Sequence, residues 1–168
     1  MTYRIAYLGP ALPWLHRVIR SELPPGFELD PIMCNDHGEM ERKVEQADFV
    51  VALKVDAELV RHMRHVKLIQ YHGVGYHKSI DVAACQAAGI PAAFTPDGNT
   101  VEVAEHIVML VLALYRKLVV VHNALKQGKW LMWELREEMY NLCGKTVGIV
   151  GFGRIGRETA RKLRAFDV

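Results

Sequence analysis

Hydrophobic positions in the first hundred residues follow two alternating patterns. Short apolar runs typical of strands occur at residues 3–8, 27–33, 48–53, 67–71 and 90–94. Segments with helical spacing or helix-capping signals lie between them, at residues 12–23, 39–46, 57–65 and 81–88. Pro31 falls near the end of the second run, so that strand should end there or lie at a sheet edge. Five strands alternating with four helices predict a parallel, doubly wound α/β sheet of flavodoxin-like order.

The pattern changes after a cluster of turn residues, Thr-Pro-Asp-Gly-Asn at 95–99, which predicts a domain boundary at residue 98. We expect Thr100 to be the N-cap of a single long helix that runs to about Gln127 and stops at Gly128. The centre of this helix, residues 107–114, is apolar on every side and should be buried against several neighbours. This run is far shorter than the ~20 residues that span a bilayer, so no membrane partner is predicted.

A glycine-rich loop carries the clearest chemical signal of the second part of the chain. Gly151, Gly153 and Gly156 follow an apolar run at residues 146–150, predicted to be a buried strand, and precede a helix that begins near Arg154. In this context Gly151 permits a tight turn, Gly153 lets backbone amides approach a diphosphate, and Gly156 lets the helix pack against the strand. The helix N-terminus would add N–H groups and a positive dipole end. The loop therefore predicts dinucleotide binding; the alternative is a turn without a ligand.

Composition and cysteine spacing narrow the class of partner. With 21 basic and 19 acidic residues the net charge is +2, too balanced to indicate a nucleic acid or a membrane surface. Cys34, Cys85 and Cys143 lie far apart without metal-site spacing, which predicts reduced thiols in a cytoplasmic protein. His62 and His65 have the spacing of a metal-binding pair, but neighbouring cationic residues favour a solvated helix face.

Three segments together resemble the D-isomer-specific 2-hydroxyacid dehydrogenases, the family of phosphoglycerate, D-lactate and glyoxylate/hydroxypyruvate reductases. They are LIQYHGVGYHKSIDVAACQAAGI at 68–90, NTVEVAEHIVMLVLALYRK at 99–117 and LCGKTVGIVGFGRIGRETARKLRAFDV at 142–168. The resemblance implies a substrate domain at residues 1–98 and an incomplete NAD(P)-binding Rossmann domain at residues 99–168. It also implies hydride transfer between nicotinamide and a small 2-hydroxy or 2-oxo acid.

The same resemblance implies functions for particular residues. The turn Gly73-Val74-Gly75 would offer backbone N–H groups to the substrate carboxylate, at the carboxyl end of a strand. A region matching residues 118–143 contributes to a dimer-forming arm in such proteins, which predicts a homodimer. The cofactor, NAD or NADP, would be bound by Thr100, Val103, Gly151, Gly153, Arg154, Ile155 and Gly156.

The chain also departs from the family pattern. His77 and Lys78 stand where an Asp and then an Asn or similar residue are usual, and His72 and His77 are either substrate contacts or plain turn residues. The family's catalytic Arg, Glu and His would lie beyond Val168, so we assign no catalytic residue and expect this chain alone to be inactive. The acidic residue that separates NAD from NADP, expected about 20 residues after the loop, would also lie beyond it. The alternative function is a truncated, non-catalytic binding or dimerisation module.

Overall fold

The computed structural model describes residues 2–33, 36–75 and 78–168. The chain divides into two compact units, Met1–Gly98 and Asn99–Val168. No helix within the described ranges is long and apolar enough to cross a membrane.

The first unit is built on a five-stranded parallel sheet. Neighbouring strands run in the order β2-β1-β3-β4-β5, and every neighbouring pair is parallel. This order confirms the flavodoxin-like α/β fold class, and β2 lies at the edge with Pro31 as its last residue. The strands are β1 (Tyr3–Leu8), β2 (Phe27–Pro31), β3 (Phe49–Ala52), β4 (Leu68–Tyr71) and β5 (Ala92–Phe94).

Four helices connect these strands, and aspartates cap three of them. The side chains of Asp36, Asp56 and Asp81 each accept a hydrogen bond from the backbone N–H three residues later. Such caps stabilise a helix by about 1 kcal/mol because they satisfy an amide that has no partner within the helix. The helices are α1 (Pro13–Glu22), α2 (His37–Glu45), α3 (Ala57–His62) and α4 (Val82–Ala87).

Both faces of the sheet are covered. Because successive strand residues point to opposite faces, Ala6 of β1 belongs to the core beneath α2, α3 and α4, whereas Tyr7 belongs to the core beneath α1. The doubly wound arrangement leaves the carboxyl ends of all five strands along one edge. That edge is where open α/β sheets bind ligands.

The second unit consists of helices and their connections. Helix α5 (Thr100–Tyr115) packs against α7 (Arg154–Leu163) around the buried side chains of Val108, Leu142 and Leu163. Helix α6 (Leu118–Lys126) lies between them in sequence, and short 3-10 turns occupy Arg136–Glu138 and Arg164–Phe166.

The single helix predicted over residues 100–127 is wrong, because the chain breaks between α5 and α6. Lys117 adopts a left-handed conformation with φ 51° at the break. A later segment supplies partners for the broken end. The backbone N–H of Tyr140 donates to the Tyr115 carbonyl (3.0 Å), and Lys117 Nζ pairs with Glu138 Oε2 (3.0 Å). These distant contacts leave no local sequence signal.

The start and the burial of α5 also differ from prediction. The N-cap position is Asn99, and Thr100 is the first helical residue. Burial on every side is wrong: Ala104 and Val108 are buried, whereas Leu114 is 73% exposed. In the described part of the unit, α7 covers one side of α5 only.

The strand predicted at residues 146–150 is not a strand of this structure. It joins no ladder with any described residue, and Val150 is fully exposed. A strand needs a neighbour to receive its backbone hydrogen bonds, and the five described strands all pair among themselves. The segment nevertheless runs directly into the glycine loop.

Candidate functional site

The turn Gly73-Val74-Gly75 follows β4 at the carboxyl edge of the sheet. The backbone N–H of His72 donates to the Ala52 carbonyl of β3 (2.8 Å), so strand pairing continues to the residue immediately before the turn. A Cβ added to Gly73 would lie 2.8 Å from the ring of Tyr71. Only glycine therefore lets the backbone lie against this ring.

The far end of the turn is open. A Cβ added to Gly75 would meet no atom within 4 Å, and Gly75 itself is exposed. Backbone N–H groups in such turns bind anions by hydrogen bonding and by their dipoles. The turn can therefore receive a carboxylate from the solvent side. Of the residues that follow it, His77 lies outside the described residues and Lys78 is exposed.

A buried tyrosine supports the residue that precedes this turn. Tyr7 of β1 is fully buried, and its hydroxyl is hydrogen-bonded to His72 Nδ1 (3.3 Å). The ring reaches the sheet edge because Gly9 leaves room for it: a Cβ on Gly9 would lie 2.4 Å from the Tyr7 hydroxyl oxygen. Burial raises the pKa of Tyr7, so the phenol stays protonated.

Tyr7 also packs against a second histidine. The His16 ring stands edge-on to the Tyr7 ring with centroids 5.5 Å apart, and His16 Nε2 donates to the Pro10 carbonyl (3.2 Å). Sequence reasoning missed this cluster. A tyrosine in an apolar strand is typical of an ordinary core residue. Its contact with a residue 65 positions later leaves no local pattern in the sequence.

In the second unit, the three loop glycines occupy three different environments. Gly151 has φ 93°, a conformation that side chains rarely adopt. A Cβ on Gly156 would lie 2.2 Å from the Gly151 carbonyl oxygen and 3.4 Å from Ile149 Cγ2. A Cβ on Gly153 would meet no atom within 4 Å. The loop is thus a sharp turn packed against a helix, with an open side at its middle glycine.

Helix α7 begins at this open side. Gly153 is its N-cap, and its first helical hydrogen bond runs from the Arg157 N–H to the Gly153 carbonyl (3.0 Å). The amides of Ile155 and Gly156 precede that bond and belong to the first turn, where helices present N–H groups and positive partial charge. A diphosphate fits this combination of an open glycine and a helix N-terminus.

The first turn of α5 lies in the same unit. Thr100 and Val103 are both half-buried, and the Val103 N–H donates to the Asn99 carbonyl (3.0 Å). Helix α5 is tied to α7 by an ion pair between Glu105 Oε1 and Lys162 Nζ (2.9 Å). This pair gives Glu105 a structural partner outside its own helix.

The histidines of α2 and α3 contact carboxylates. His62 Nδ1 lies 3.0 Å from Glu45 Oε1, and His37 Nδ1 lies 3.0 Å from Glu41 Oε1. The described residues contain no group of three or more side chains arranged to hold a metal ion. The described cysteines, Cys85 and Cys143, are both free thiols.

Comparison with known proteins agrees with this geometry. Residues 108–168 match the family model described as D-isomer specific 2-hydroxyacid dehydrogenase, NAD binding domain. The chain is 35% identical over 147 residues to the D-3-phosphoglycerate dehydrogenase of Archaeoglobus fulgidus, covering 85% of this chain and 27% of that protein.

Two solved structures show the same fold. The NADPH-dependent glyoxylate/hydroxypyruvate reductase of Sinorhizobium meliloti, in complex with NADP and malonate, is 32% identical with a TM-score of 0.77, covering 100% of this chain and 52% of that one. The NAD-dependent formate dehydrogenase of Staphylococcus aureus, in complex with NAD, is 25% identical with a TM-score of 0.78, covering 98% and 54%. The chain thus spans about half, or less, of the length of these similar proteins.

Proposed function

Because the chain belongs to the D-isomer-specific 2-hydroxyacid dehydrogenase family, we propose that it contributes two binding elements to an NAD(P)-dependent oxidoreductase. One is the carboxylate-binding turn Gly73-Val74-Gly75, and the other is the diphosphate-binding loop 151–156. The substrate class is a small 2-hydroxy or 2-oxo acid. The cofactor, NAD or NADP, supplies the hydride acceptor or donor when bound.

The contact between Gly156 and the Gly151 carbonyl carries this proposal. It shows that the third glycine is required by close packing of α7 on the loop, while Gly153 faces open space. An open glycine at the start of a helix leaves room for phosphates to approach the backbone, as the middle glycine of a dinucleotide-binding loop does. We assign diphosphate contacts to the amides around Gly153, Arg154 and Ile155.

The chain's own groups then have defined tasks. Backbone N–H groups of the turn hold the substrate carboxylate, and the first turn of α7 holds the cofactor diphosphate. Thr100 and Val103 are proposed to lie near the nicotinamide end of the cofactor. These groups bind and orient; we assign no proton transfer to any described residue.

Titration of the 168-residue chain with NAD+ and with NADP+, followed by amide NMR, tests the cofactor site. We expect the largest shifts at Gly153 to Gly156. Gly153→Val should weaken binding at least tenfold because its side chain would occupy the open space reserved for the diphosphate.

Gly148→Val provides a matched control. Gly148 lies in the same segment, and a Cβ there also meets no atom within 4 Å, yet it is outside the loop. The control should bind NAD+ like the unmodified chain. Equal binding by the Gly153→Val chain would refute the diphosphate assignment.

We further propose that the second unit associates with a second copy of the chain. Large apolar side chains are exposed on α5, on α6 and in the connection that follows them. Leu114 and Val119 are 73% and 68% exposed, and Trp130 and Trp133 are each 69% exposed. Exposed apolar groups on this scale mark interaction surfaces. Both tryptophans lie in the region 118–143, for which the resemblance implies a dimer-forming arm, and neither is buried within the described unit.

Light scattering of the purified chain tests this homodimer. Leu114→Glu with Val119→Glu should convert a dimer of about twice the 19.0 kDa chain mass to a monomer. Glu28 lies on the edge strand β2 of the first unit, far in sequence from Leu114 and Val119. Glu28→Gln removes one charge there and should leave the mass of the dimer unchanged. Dimerisation without NAD(P) binding would favour the alternative function, a non-catalytic dimerisation module.

A cytoplasmic location stays a prediction based on cysteine usage.

A further inference from the structure

We propose that His72 is a specificity-determining residue that donates its Nε2–H to the carboxylate of the substrate, and that Tyr7 is the positioning residue that keeps the proton there. The inference rests on the proposed carboxylate site and extends it by one side-chain donor. It draws on the hydrogen bond between the Tyr7 hydroxyl and His72 Nδ1 at 3.3 Å.

The buried phenol selects between the two tautomers of a neutral His72 ring. A neutral His72 with its proton on Nε2 accepts the Tyr7 O–H at Nδ1. A doubly protonated ring also carries an Nε2–H, whatever partner its Nδ1–H has. The remaining tautomer, with a proton on Nδ1 only, would leave the buried O–H with no acceptor among the described residues, a costly arrangement. The favoured neutral tautomer and the doubly protonated ring both make Nε2 a donor.

The position of His72 makes this donor available to a ligand. His72 is exposed, although its backbone N–H is hydrogen-bonded to β3 and its ring Nδ1 is hydrogen-bonded to Tyr7. No hydrogen bond joins Nε2 to another part of the chain that the structure describes. The residue stands next to Gly73, the first residue of the carboxylate turn. An N–H donor beside backbone amides complements a carboxylate, which accepts several hydrogen bonds.

Three neighbouring features restrict movement of the pair. Tyr7 is held by the His16 ring on one side, and its hydroxyl end reaches the sheet edge only because position 9 is glycine. Gly73 in turn lies against the Tyr71 ring. The His72 ring is therefore held by its hydrogen bond to the buried Tyr7, and the adjacent turn is held by its packing against Tyr71. A preorganised binding site needs supporting contacts of this kind.

Oxamate, an unreactive analogue of a 2-oxo acid, is the probe for this inference. In NMR titrations of the 168-residue chain, we expect oxamate to shift the amides of residues 73–75 and the His72 ring. His72→Ala should weaken oxamate binding about tenfold, the loss of one hydrogen bond to a charged group. His72→Gln keeps an N–H donor and should restore most of the affinity. His65→Ala, at an exposed histidine elsewhere, should have no effect.

Tyr7→Phe separates positioning from packing. Long-range 1H–15N spectra of the imidazole should show the Nε2–H tautomer in the unmodified chain and a mixture of tautomers in the variant. Unchanged tautomers, or wild-type affinity in His72→Ala, would overturn the inference. If the amides of 73–75 respond to oxamate but the His72 ring does not, only the role of His72 fails. If neither responds, the proposed carboxylate site fails with it.

Discussion

The α-carbon of Gly156 lies so close to Gly151 that a methyl group on it would come within 2.2 Å of the Gly151 carbonyl oxygen. This places the first turn of α7 directly against the backbone of the preceding loop. The relationship joins the two outer glycines of the loop into one packed unit. A Cβ on Gly153, as on Gly151, would meet no atom within 4 Å, so the middle of the loop is open.

Gly156→Ala should therefore destabilise the second unit. The added methyl meets backbone, which cannot rotate away as a flexible side chain would, and overpacking of this kind costs about 1–3 kcal/mol. Urea unfolding followed through the amide NMR signals of α7 measures the change within this unit. Gly148→Ala, in open space, should change stability by less than about 0.5 kcal/mol. Equal stability of the two variants would contradict the packing argument.

Glu158 joins the charged groups of α7. Hydrogen bonding to Arg161, supported by the charges of Arg161 and Lys162, lowers the pKa of Glu158 to about 2. The folded pKa lies below the ordinary value of 4.5, so this interaction stabilises the fold above pH 4.5. The stabilisation is lost as the pH falls through about 2.

The carboxyl 13C shift of Glu158 during an acid titration measures this pKa. Arg161→Gln should move it upward toward 4.5, because Arg161 is the largest cause of the shift. Arg164, three residues after Arg161, forms no ion pair with Glu158 in the described structure. Arg164→Gln therefore removes a positive charge that is not a direct partner of Glu158. That control should leave the titration unchanged; equal shifts in both variants would show that only the net charge of α7 matters.

The sheet of the first unit follows from local pattern. Each strand is a short apolar run, each crossover is a helix, and the caps Asp56 and Asp81 stand at the predicted helix starts. Parallel strands need such crossovers, so pattern and order together specify the fold class. The helix ends were less predictable: α3 stops at His62 rather than 65 because Met63 leaves the helical conformation, with φ −83° and ψ 64°.

The candidate sites were predictable only in part. The glycine loop has a spacing that backbone geometry demands, so sequence alone locates it. Contacts between residues far apart in sequence, such as Tyr7 with His72, have no such spacing. The break at Lys117 has the same origin, since a lysine in the left-handed region gives no warning of a helix end.

His37 at the start of α2 pairs with a carboxylate one turn later. Its hydrogen bond to Glu41, aided by the charges of Glu41, Asp56 and Glu58, raises the pKa of His37 above 6.5, although desolvation opposes the shift. A raised folded pKa means that the interaction stabilises the fold fully below pH 6.5. It is lost as the pH rises through the folded value.

Proton NMR of the His37 ring against pH measures this shift. Glu41→Gln should lower the pKa toward 6.5, because it removes the largest cause. Glu22→Gln at the end of α1 is a control of equal charge change and should not move it. A His37 pKa that is the same in all three chains would exclude the Glu41 contact.

Lys117 is the left-handed residue between α5 and α6. Lys117→Gly should stabilise the second unit by about 0.5–1 kcal/mol, because glycine adopts φ 51° without the steric cost that a side chain meets there. The ion pair of Lys117 with Glu138 is lost, but such a pair at the surface contributes little. His122→Gly, at an exposed helical position of α6, should instead destabilise the unit by a few tenths of a kcal/mol. Urea unfolding of both variants distinguishes the cases. If Lys117→Gly destabilises the unit as His122→Gly does, α5 and α6 form one continuous helix in solution.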